Sequence, residues 1–87
     1  MANKTAEEIL QDHTAMGHSA VLITGVIAGD QMADDTNADK KDCVARNVEH
    51  LELMKAMKKE DGETSIWTNE DFTGINSAIT AGNTYIS

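Results

Sequence analysis

Residues 13 to 29, His13-Thr14-Ala15-Met16-Gly17-His18-Ser19-Ala20-Val21-Leu22-Ile23-Thr24-Gly25-Val26-Ile27-Ala28-Gly29, hold no Asp, Glu, Lys or Arg in a chain whose formal net charge is -8. The second half of the run is apolar on every side, so an element built from it is expected to be buried all round. The chain has 87 residues, enough for one domain, and a domain of that size buries only roughly 60 to 65% of its unfolded surface. Such a run is hidden either by wrapping the other elements closely around it or by sharing it with a second copy.

Working outward, Thr5-Ala6-Glu7-Glu8 reads as a capping box that opens a helix. From it Ile9, His13, Met16, Gly17, Ala20, Ile23, Thr24 and Ile27 recur at spacings of three and four, which predicts one helix over Thr5 to Gly29. A strand over Ala20 to Ile27 is the competing reading, because Val21, Ile23, Val26 and Ile27 are β-branched. Helix is preferred, since no other segment reads as a strand to pair with it. Asp30 to Asp39 has loop composition with a cap at Thr36 or Asn37, and a second helix is expected over Ala38 to Glu60. Val44, Val48, Leu51 and Met54 form its central stripe, and Asp61-Gly62 is the expected stop. Thr68 caps a third helix over Asn69 to Tyr85, and Trp67 with Phe72 has the spacing of a hydrophobic staple. The fold class expected is all-α, a small three-helix domain covering 1-87 that associates into a helical oligomer.

The totals bound the chemistry. Seven basic against fifteen acidic residues leave no basic stripe to follow a phosphate backbone, and Trp67, Phe72 and Tyr85 are too few for base stacking, so no direct nucleic-acid binding is expected. A lone Cys43 excludes an intramolecular disulfide and suits a reducing compartment; with no signal-like start, a cytoplasmic location is expected. Gly25 and Gly29 form a GxxxG pair, but Thr14, His18, Ser19 and Thr24 dilute the run and Asp12 and Asp30 close it, so no membrane span is expected.

No motif carries a reaction. Asp35-Thr36-Asn37-Ala38-Asp39 copies the first, third and fifth positions of a calcium loop, yet Lys40 stands where glycine is needed and Arg46 where the bidentate glutamate belongs. His13 and His18 diverge by about 140° around a helix and do not converge on a metal. His50 lies near Met54, Met57 and Cys43 in a pattern that imitates a soft metal site, but thioether and thiol side chains at helical spacing are ordinary core fillers. No cofactor, no metal and no catalytic residue is expected, and the chain reads as no enzyme.

Two strings, Arg46-Asn47-Val48-Glu49-His50-Leu51-Glu52-Leu53-Met54 and the segment from Trp67 through Ala78-Ile79-Thr80-Ala81-Gly82 to Tyr85-Ile86, resemble short uncharacterised helical proteins of marine tailed bacteriophages. The resemblance implies a phage-encoded accessory or virion component, located in the host cytoplasm or the virion, and brings no activity or site residue with it.

The small-residue ladder of the first helix receives either the second or third helix of the same chain or a second copy, and the uncharged stretch from Phe72 to Ser87 tilts the expectation to self-association. The interface residues expected are Gly17, Val21, Gly25 and Gly29 of the first helix with Ile75, Ile79 and Ile86 of the third. A homo-oligomer is thus the first expectation for partners. A basic protein surface, met by the carboxylates of Asp30 to Asp42, is the second.

Overall fold

A computed structural model describes residues 6–59 and 61–87, and it consists of three helices, each packed against the other two. The first, α1 (Ala6–Ala28), covers the charge-free run in helical form and not as a strand. The Thr5 capping box expected at its start lies outside the described residues. Its end is a Schellman stop: Gly29 takes a φ of 86°, its N–H donates to the Val26 carbonyl at 3.2 Å, and Asp30 N–H donates to the Gly25 carbonyl at 2.8 Å.

The second helix, α2 (Asn37–Lys55), starts where Thr36 accepts from the Asp39 N–H at 3.1 Å. Val44, Val48, Leu51 and Met54 are all buried, as the stripe predicts. Its end differs from the expectation of a helix reaching Glu60, a residue outside those described. Helix gives way at Ala56 because the chain doubles back: Ile66 N–H donates to the Met57 carbonyl at 3.4 Å and Lys59 N–H to the Thr64 carbonyl at 2.7 Å. Asp61-Gly62 therefore makes the tip of this return and does not stop the helix. Asp61 Oδ1 accepts from the N–H groups of Glu63 (2.8 Å) and Thr64 (2.7 Å), while Gly62 adopts a φ of 73°. Among the described residues the return forms an isolated antiparallel bridge, Lys58 to Ser65, and no strand.

The third helix, α3 (Asn69–Ile86), opens on a reciprocal capping box. Thr68 Oγ1 accepts from Asp71 N–H at 3.2 Å, and Asp71 Oδ2 accepts from Thr68 N–H at 2.9 Å. Trp67 stands just before the cap, as the staple spacing expects, and turns its indole inward. Its Nε1–H donates to the Met54 carbonyl at 2.6 Å, and Phe72 lies half-buried against the same core.

The core joins Ile23 and Val26 of α1 to the α2 stripe, to Ile66 and Trp67 of the return, and to Ile75 and Ala78 of α3. Each fully buried branched side chain, such as Ile23, Leu51 or Ile75, contributes about 1.5 to 3 kcal/mol of transfer free energy. Gly82 is the close-packing glycine: a Cβ built there would overlap Val48 Cγ2 and lie 3.2 Å from Val44 Cγ1. Its lack of a side chain sets the approach of α3 to α2.

Candidate functional site

The seven residues expected at an interface divide sharply. Ile75 is 0% exposed in the chain's own core, which removes it from any surface. Ile79 and Ile86 are half-buried and lean on the same core. The uncharged outer side of α3 is Thr73, Gly74, Asn76, Ser77, Thr80, Asn83 and Thr84, polar residues that need no cover. Lack of charge in this helix therefore does not signal an apolar exterior.

Gly25 is also withdrawn, because the chain after α1 folds over it. A Cβ at Gly25 would meet Gln31 Cγ at 2.6 Å, and Gln31 N–H donates to the Gly25 carbonyl at 3.1 Å. Gly29 is exposed but lies past the helix end, in the left-handed stop. The GxxxG pair thus terminates a helix. Gly17 and Val21 remain: Gly17 has open space where its Cβ would point, and Val21 is 59% exposed.

Val21 shows that the charge-free run is not buried all round within the chain. Among the described residues, the buried positions of α1 are Ser19, Ile23 and Val26, on one side of the helix. On the opposite side Leu10, Thr14, Gly17, Val21, Thr24 and Ala28 follow one another at spacings of four, three, four, three and four, the seam positions of a heptad. Gly17 is half-buried and the other five are exposed, with Leu10 67% accessible. The two threonine hydroxyls are turned back onto the helix, Thr14 donating to the Leu10 carbonyl and Thr24 to that of Ala20, each at 3.1 Å. In the N-terminal half, Glu7, Leu10, Gln11, Thr14, Ala15 and His18 line a shallow depression of about 610 Å³.

His13 and His50 occupy structural joints, whereas His18 is exposed. His13 Nε2 lies 3.3 Å from the Ile66 carbonyl, its Nδ1 3.9 Å from Asp71 Oδ2, and its ring meets Trp67 at a centroid distance of 4.6 Å. The contact ties α1 to the entry of α3. Asp71 is held below the ordinary carboxylate range, first by the Thr68 backbone N–H and then by the Thr68 hydroxyl and His13. Ser19 Oγ and His50 Nδ1 are 2.9 Å apart, which imitates a nucleophile and its base, but Ser19 is only 2% exposed. A substrate has no route to that hydroxyl, and the pairing satisfies a buried polar group. Cys43 accepts a hydrogen bond from Asn47 Nδ2 at 3.6 Å, beside the bond that Nδ2 gives the Cys43 carbonyl.

Among the described residues no three His, Cys, Asp or Glu side chains converge as a metal site, and no helix is long and apolar enough to cross a membrane. The outer side of α1 from Leu10 to Ala28 is an exposed, uncharged face on which Gly17 alone is half-buried. Comparison with protein-family models, with curated proteins and with solved structures finds no match to this chain.

Proposed function

We propose that this chain is a non-enzymatic, self-associating helical protein, a structural or adaptor module whose copies meet through the outer face of α1. The observation that carries the reading is the uncharged seam from Leu10 to Ala28, left open on a chain with a net charge of -8. Two copies this acidic repel each other wherever carboxylates meet, and the seam is a place where neither brings one. Heptad spacing fits a helix partner, and internally bonded threonines allow the face to be covered without an unpaired hydroxyl. The resemblance to short phage proteins favours an accessory or virion component, in the host cytoplasm or in the particle.

Light scattering on a size-exclusion column tests the reading. A mass above the 9.4 kDa of one chain that rises with concentration supports it. The salt dependence separates it from an acidic regulator bound to a basic protein surface through Asp34, Asp35, Asp39 and Asp42, all exposed. Apolar association keeps its mass as salt is added, while a charge-held complex dissociates.

A further inference from the structure

We infer that the return between α2 and α3 is a strap with two arrangements: closed, with Trp67 seated against the end of α2, and open, with α2 continued through Lys59. The residues that follow Lys55 are Ala56, Met57, Lys58 and Lys59, all strong helix formers, and lysines suit the last turn of a helix. No glycine or proline stands between Lys55 and Gly62. The stop comes from the returning chain, whose bonds take the groups that the next helical turn needs. A continued helix aims the Lys58 N–H at the Met54 carbonyl and the Lys59 N–H at the Lys55 carbonyl. Instead, Lys59 N–H donates to the Thr64 carbonyl at 2.7 Å, and the Met54 carbonyl accepts from Trp67 Nε1–H at 2.6 Å and from Met57 N–H at 3.0 Å. Lys59 has one backbone proton to give, so the two arrangements exclude each other.

What holds the strap closed is tertiary and concentrated at one end. Ile66 and Trp67 are 4% and 5% exposed, the indole packs on the His13 ring, and His13 Nε2 lies 3.3 Å from the Ile66 carbonyl. The other end is an exposed tip, held by the bonds of the Asp61 carboxylate to Glu63 and Thr64 and by the left-handed Gly62. Local preference and tertiary packing therefore pull in opposite directions over Ala56 to Lys59, the condition under which a segment has two forms. Opening lengthens α2 by about 6 Å and uncovers the end of the core that Trp67 closes.

Hydrogen exchange of the full chain, read by NMR, tests the strap. In the parent the Trp67 indole N–H and the Lys59 amide are expected to exchange together, at least about tenfold faster than the Leu51 amide, because they open without global unfolding. Exchange of all three at one rate overturns the inference, since the return then opens only with the whole fold. Trp67→Ala reads the open form itself. Trp67 is already released in that form, so its loss leaves the open form as stable against unfolding as before. The variant is expected to keep the Leu51 amide protected and to give helical Cα chemical shifts from Met57 to Lys59. Non-helical shifts over a folded core overturn the inference, and so does loss of protection at Leu51, because the open form keeps the three helices packed.

Discussion

Gly82 of α3 lies so close to Val48 of α2 that one added methyl group would overlap the valine Cγ2, with Val44 Cγ1 at 3.2 Å and Ile23 Cγ2 at 3.4 Å around it. The obstructing atoms belong to buried, β-branched side chains that have nowhere to turn. Gly82→Ala is therefore expected to destabilise the fold by about 1 to 3 kcal/mol, despite alanine's better helix propensity. Gly25→Ala meets only the flexible side chain of Gln31 and is expected to stay within about 1 kcal/mol of the parent. Urea denaturation of the two variants side by side checks the contrast.

Trp67 holds the end of α2 from across the return. Its Nε1–H reaches the Met54 carbonyl at 2.6 Å, a last-turn acceptor, and its ring packs on His13. Trp67→Phe keeps an aromatic ring but loses the donor and some volume, at an expected cost of about 1 to 3 kcal/mol. The same denaturation measurement reads it.

The capping box of α3 makes a local prediction with an acid limb. Thr68→Ala removes the hydroxyl that accepts from Asp71 N–H and is expected to cost about 1 kcal/mol. Asp71 has a lowered pKa, so its charged form is favoured by folding. The stability it contributes is present above the ordinary carboxylate range and is lost as pH falls through the lowered value. Thr68→Ala also removes one cause of that lowering and is expected to weaken the acid dependence, seen in melting curves recorded down the pH scale.

Asp61 behaves likewise at the tip of the return. The Thr64 hydroxyl at 2.5 Å, followed by the backbone N–H groups of Thr64 and Glu63, lowers its pKa from 3.8 to about 2. Stability from this turn is expected to be intact above pH 3.8 and to fade as pH approaches about 2. Asp61→Asn should flatten that limb, and hydrogen exchange at the Thr64 amide reports it.

Three helices were legible in the sequence because their signals are local. Thr36 and Thr68 stand before acidic first turns, and Val44, Val48, Leu51 and Met54 keep helical spacing. The early end of α2 was not legible. Met57, Lys58 and Lys59 suit a helix, and what stops it is a bond from Ile66 on the returning chain. The glycine pair was ambiguous for another reason: Gly25 and Gly29 fit either a helix crossing or a Schellman stop, and only the fold decides. Ile75 was misplaced because a lack of charge does not distinguish a buried helix from one with Thr, Ser and Asn outside. Gly17 and Val21 lie on the side of α1 opposite its buried residues Ser19, Ile23 and Val26.

Sedimentation equilibrium of the parent chain beside Val21→Glu tests self-association through α1 most directly. Val21 is 59% exposed, so a carboxylate there leaves the folded chain intact while placing charge in the middle of the seam. The account predicts a parent mass that climbs above 9.4 kDa with concentration and a Val21→Glu mass that stays at one chain, with the two circular dichroism spectra alike. A parent that remains at 9.4 kDa into the high micromolar range, or a Val21→Glu variant that associates as strongly as the parent, contradicts it.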